Sequence, residues 1–194
     1  MSPHHTDNPN SSTFPRTTPA ITTDQVIEFL ARGFQDPDLH PTCHLVWVVA
    51  NKGMRRAELE RLRIGSIDPA RSRVEISAHT SNKLARYIPI RSKTFESLMI
   101  LHTLNGASDF ILGNSPKSRI NRAVSLLQSN AFGRNQARIT LHSLRRNFAS
   151  RLRQSGVSLP LVKYCLGQAK RPCFLNYFNI CSEDVFDSLE LATD

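Results

Sequence analysis

Between Phe110 and Ser182 the chain contains no Asp or Glu, yet it carries twelve basic side chains. Helices in such a stretch cannot lace their exposed faces with opposite charges three or four residues apart, the usual support of a solvated helix. They must be held by an apolar face pressed on a core, with the cations left for a partner that brings negative charge. The twelve are Lys117, Arg119, Arg122, Arg134, Arg138, Arg145, Arg146, Arg151, Arg153, Lys163, Lys170 and Arg171. The last twelve residues reverse the sign, with Glu183, Asp184, Asp187, Glu190 and Asp194. Over the whole chain 25 Lys and Arg face 16 Asp and Glu, so 25 − 16 = +9, which favours a polyanionic partner.

With 194 residues, 40% of them apolar, the chain can build one sizeable core. The most apolar run, Leu45 to Ala50, is far below the roughly 18–20 residues a membrane-spanning helix needs, so no membrane is expected. The start, Met-Ser-Pro-His-His-Thr-Asp, lacks the basic and apolar blocks of a secretory signal and implies a cytoplasmic protein. Cys43, Cys165, Cys173 and Cys181 form no paired spacing, and they read as packing residues rather than a metal site or a disulfide framework. No metal and no cofactor is called for.

Residues 1–20, rich in Ser, Thr, Pro and Asn, form a polar leader expected to be disordered. Thr22 and Gln25 have the spacing of a capping box, and Val26, Ile27, Phe29, Leu30 and Phe34 follow at helical intervals. Leu45–Ala50 is apolar all round and reads as a buried helix ending near Gly53. A short helix is expected over Arg56–Leu62, then a hairpin from Arg73–His79 and Ala85–Ile90, with Pro89 marking an edge strand. Further helices are expected over Thr94–Leu104, Arg119–Leu127, Leu141–Arg153 and Leu159–Leu166, the last two stopped by Gly156 and Gly167. The fold class is mainly α with a small antiparallel β-sheet (α+β), in one domain over residues 21–181, followed by an acidic helix or tail over 182–194.

Two segments carry the chemistry: Gly53-Met-Arg-Arg-Ala-Glu-Leu59 leading to Ile67-Asp68, and His142-Ser-Leu-Arg-Arg146. They resemble the G-[LM]-R-x-x-E-L and H-x-L-R-[RH] boxes of the tyrosine recombinase (phage integrase) family. Gln168, closing Leu166-Gly-Gln, lies twenty-three residues past Arg145, where the family has L-G-[HW], and nine further is Tyr177, at the place of its nucleophile. Taken singly, Arg55 reads as a surface charge, His142 as a cap or a buried partner and Tyr177 as a core aromatic; their joint occurrence in order is what is specific.

Cleaving a phosphodiester without a metal requires fixed cations on the non-bridging oxygens as charge builds, and guanidinium forks suit that task. Arg55 and Arg145 are the candidates. His142, three residues before Arg145, is expected to emerge beside it at the edge of the stripe Leu141, Leu144, Phe148 and Leu152, either as general base or as a second phosphate donor. Glu58, one turn after Arg55, would orient the guanidinium groups. The resemblance implies that Tyr177 forms a 3′-phosphotyrosyl link and that a Lys of the hairpin turn protonates the leaving oxygen; Lys83 is the Lys of that turn. Gln168 replaces the family's His or Trp, and Asn179 stands where a His is frequent.

The resemblance further implies duplex DNA as the partner, contacted by Arg119, Arg122, Arg134, Arg138, Arg146, Lys170 and Arg171, and a homo-oligomer, a tetramer, on that DNA. An accessory DNA-binding protein could supply the grip that larger relatives draw from a second domain. The bacterial nucleoid is the implied place of action. The main reading is thus a site-specific recombinase acting without metal or ATP. Two readings stay beside it: a catalytically degenerate DNA-binding regulator of the same fold, and a relaxing enzyme akin to the type IB topoisomerases.

Overall fold

The computed structural model describes residues 21–77, 85–106, 108–132 and 139–168. These form seven α-helices and a small three-stranded antiparallel sheet, the class the sequence leads one to expect. Helix α1 (Thr23–Gly33) starts at the expected capping box: Gln25 N–H donates to Thr22 Oγ1 at 3.2 Å, and Thr22 N–H donates to Gln25 Oε1 at 2.9 Å. Val26, Phe29 and Leu30 form its buried face.

Helix α2 (His40–Lys52) is the axis of the molecule. It is buried along Thr42–Lys52, as a segment apolar on every side must be, and α1 packs against it together with α4 (Ser92–Leu104), α5 (Pro116–Leu127) and α6 (Leu141–Gln154). It ends at Gly53, whose φ is +58°. A Cβ there would lie 2.3 Å from Phe148 Cδ1, so both the left-handed turn and the approach of α6 require glycine.

Helix α3 (Arg56–Glu60) stops two residues before the expected end, although Leu59 and Leu62 are buried as anticipated. Strands β1 (Ile67–Asp68), β2 (Arg73–Ile76) and β3 (Arg86–Pro89) follow in the order β1-β2-β3, with Val74 opposite Ile88 and Arg73 opposite Pro89. Among the described residues Pro89 is on an edge strand, in keeping with its missing N–H. The expected hairpin therefore gains a third strand, whose two residues are too short for alternation to reveal. Val74, Ile76, Ile88 and Arg86 are buried, while Tyr87 faces outward under the Arg73 guanidinium, 4.0 Å from its ring centre.

Helix α7 (Leu159–Cys165) packs on α6. Phe148 and Leu152 join Leu161, Val162, Tyr164 and Leu166 in a second apolar cluster beside the main core. Cys43 and Cys165 are buried. No helix among the described residues is long and apolar enough to cross a membrane.

Candidate functional site

The turn at Gly53 delivers Arg55 to the start of α3. Its backbone N–H donates to Glu58 Oε2 at 2.7 Å, and its Nη1 donates to Glu58 Oε1 at 2.8 Å. A glutamate in the third helical position reaching back to the cap N–H is half of a capping box, so this segment's local folding alone joins Arg55 to Glu58.

Arg145 arrives from α6. Thr140 caps that helix, its Oγ1 accepting from Ser143 N–H at 3.4 Å, and Leu144, Phe148 and Leu152 set the buried face. His142 is exposed in the first turn of α6, whereas Arg145 is 6% exposed. A guanidinium tolerates burial when carbonyls receive its protons. Arg145 donates through Nη1 to Gly53 O and through Nη2 to Leu166 O.

The end of α7 explains why three arginines gather. Gly167, at φ +58°, lets the chain close a double turn in which Gly167 N–H donates to Tyr164 O at 2.7 Å and Gln168 N–H to Lys163 O at 2.8 Å. That satisfies two terminal carbonyls and leaves the next three for other donors. Cys165 O accepts from Arg86 Nε at 2.9 Å, Leu166 O from Arg145, and Gly167 O from Arg55 Nη2 at 3.0 Å. The negative end of the helix thus collects one guanidinium per successive carbonyl. Gly167 is needed for space as well: a Cβ would lie 2.6 Å from Arg86 Nη1 and 3.0 Å from Arg55 Nη1.

Glu58 is the carboxylate among these cations. Burial opposes its ionisation, but the hydrogen bonds and charge of Arg86, with those of Arg55, hold its pKa down at about 2. Burial and the nearby positive charge of Arg55 and Arg86 lower the Arg145 guanidinium to about 10, Glu58 acting in the opposite sense. Three guanidinium groups and one carboxylate leave 3 − 1 = +2 in a largely desolvated space. An anion with oxygens on several sides would relieve that excess.

Arg55, Glu58 and Arg145, named from the sequence, are thus brought together, and Gln168 follows Gly167 directly with its side chain exposed. Arg119, Arg122 and Arg146 are exposed. Lys83, Arg134, Arg138, Lys170, Arg171, Tyr177, Asn179, the leader and the acidic segment lie outside the described residues. Arg86 is the member that sequence reasoning missed. The signal was there: in Arg86-Tyr-Ile-Pro-Ile90, period-two alternation puts Arg86 on the face of Ile88 and Ile90, and a cation on a buried face needs a dedicated partner. Among the described residues no group of three or more His, Cys, Asp and Glu is placed to hold a metal ion.

The model of the phage integrase family matches residues 20–179. A tyrosine recombinase of Pseudothermotoga lettingae is 27% identical over 140 residues, 71% of this chain and 49% of its own length, so the chain spans about half of that curated relative. Among solved structures, the Tn1549 transposon integrase in complex with transposon right-end DNA superposes with a TM-score of 0.65 at 16% identity, covering 92% of this chain and 66% of that one. XerA recombinase gives 0.62 at 19% identity, over 91% of this chain and 65% of its own. The fold, the ordered boxes and the match over most of its length agree that the chain belongs to the phage integrase family.

Proposed function

We propose that this chain is the catalytic part of a site-specific DNA recombinase that breaks and rejoins duplex DNA through Tyr177. The observation that carries this reading is the convergence of Arg55 and Arg145, ninety positions apart, on the adjacent carbonyls of Gly167 and Leu166, with excess positive charge around them. In the proposed reaction the Tyr177 Oη attacks the scissile phosphorus, the bond from phosphorus to the 5′ oxygen breaks, and a 3′-phosphotyrosyl ester forms. The phenol's proton passes to His142 or to water, and Lys83 protonates the departing 5′ oxygen. Arg55 and Arg145 hold the non-bridging oxygens, with Gln168 as a neutral donor. Because the ester keeps the phosphodiester's energy, attack by a 5′ hydroxyl reverses the step without ATP or a metal.

The basic side chains Arg119, Arg122, Arg134, Arg138, Arg146, Lys170 and Arg171 are proposed to hold the flanking phosphates. A solved lambda integrase relative is a dimer bound to a core site, and XerH is bound to its difH substrate; both likenesses support duplex DNA as the partner. Assembly of four copies on DNA, with or without an accessory protein, extends the same reading.

The test is trapping. Incubation with a pool of nicked duplexes of randomised sequence should give a covalent protein–DNA adduct that survives denaturation and is lost in Tyr177→Phe. Salt-sensitive duplex binding without an adduct would favour the regulator instead.

A further inference from the structure

Arg86 belongs to none of the boxes that carry the proposed function, yet it is 3% exposed and uses all three guanidinium nitrogens. Nε donates to Cys165 O at 2.9 Å, Nη1 to Glu58 Oε1 at 2.9 Å and Nη2 to Glu58 Oε2 at 3.0 Å. The last two form the parallel fork that a planar guanidinium makes with a carboxylate. Glu58 also accepts from Arg55, through Nη1 on Oε1 and through the backbone N–H on Oε2. Each carboxylate oxygen therefore receives two donors, its full capacity. Arg55 and Arg86, which repel each other, are held by one shared oxygen.

The consequence lies in what Glu58 is prevented from doing. A buried carboxylate with a free oxygen beside Arg55 would close a two-bond fork on that guanidinium and neutralise it. Arg86 fills that place, so Arg55 makes one side-chain bond to Glu58 and one to Gly167 O. Among the described residues, three of its five guanidinium protons are left for an external anion. We infer that Arg86 is a positioning residue for the phosphate site: by occupying both oxygens of Glu58 and the Cys165 carbonyl, it keeps Arg55 available to the anion. This rests on reading the cluster as a phosphate site.

Arg86→Lys keeps the charge but cannot span both oxygens and the carbonyl. On a nicked duplex, the single-turnover rate of adduct formation should fall about 10- to 100-fold while DNA affinity stays unchanged. A second variant guards against simple misfolding. Arg86→Met combined with Glu58→Met removes both buried charges, and it should fold and bind DNA without regaining cleavage. A third arm needs no cleavage: inorganic phosphate is titrated into the intact protein while the side-chain nitrogen resonances of Arg55 are followed. These should move in the wild type and respond far less in Arg86→Lys. Wild-type cleavage by Arg86→Lys, cleavage regained by the double variant together with its stability, or an equal phosphate response in both proteins would each overturn the inference. If the wild type forms no adduct on any duplex, the recombinase reading fails, and the phosphate titration alone decides the role of Arg86.

Discussion

The molecule uses arginine in two ways. Arg55, Arg86 and Arg145 sit at the end of α7 with their donors fixed on successive carbonyls and one carboxylate, whereas Arg119 and Arg122 extend into solvent from α5. The first group is desolvated and held in place, so its field is little screened and costs nothing to reorganise when charge develops nearby. The second is solvated and screened beyond about 8–10 Å at ordinary salt, so it adds attraction without geometry. Total charge does not separate the two kinds; burial and partner identity do.

The sharpest way to break this contrast is to remove one member of each group. Arg145→Ala should lower the rate of adduct formation at saturating DNA by at least about 100- to 1,000-fold. It should also cost about 1–3 kcal/mol for each of the carbonyls of Gly53 and Leu166 left without a donor, measured by urea unfolding. Gly167→Ala comes next, because it strains a φ of +58° and drives a methyl group to 2.6 Å from Arg86 Nη1. A loss of about 1 kcal/mol from the backbone alone, with about tenfold slower cleavage from the displaced guanidiniums, is expected.

Acid response should distinguish the site from the rest of the core. Glu58 is held at about 2 against an ordinary 4.5 because its arginine partners outweigh burial, so the stability it supplies is complete above 4.5 and drains away as pH falls toward 2. His44, between α2 and α4, is lowered from 6.5 to about 4, first by burial and then by the positive charge of His40 and Lys93. It is neutral when folded, so its loss of stability runs from pH 6.5 down to about 4. Unfolding midpoints against pH should lose the upper step in His44→Leu and the lower step in Glu58→Gln. The smallest effect belongs to the exposed group. Arg119→Ala or Arg122→Ala should reduce the salt slope of duplex binding by about one and leave the rate of cleavage at saturation untouched.

Much of this was legible in the sequence. Periodicity located α1, α5 and α6 because each buries one clear stripe, an unbroken apolar run located α2, and Thr22 with Gln25, Gly53, Gly156 and Gly167 marked ends through local chemistry that tertiary packing did not override. Arg55 and Glu58 were readable as a pair because one turn of helix separates them. Their meeting with Arg145 was not deducible from spacing; it came from the resemblance, and the physical reason lies in the carbonyls at the end of α7. Arg86 escaped because its importance is a matter of burial, and β1 escaped because two residues show no alternation. The burial of Arg145 was hidden for a related reason. Helical spacing gives direction around an axis, while the depth a cation tolerates depends on acceptors far away in the chain.

The most direct test of the central claim replaces the scissile phosphate by an uncharged methylphosphonate in a nicked duplex that the wild type cleaves. If Arg55 and Arg145 act by holding a charged non-bridging oxygen, the Arg145→Ala variant should be far less impaired on the neutral linkage than on the natural one. Equal impairment on both linkages would contradict the account.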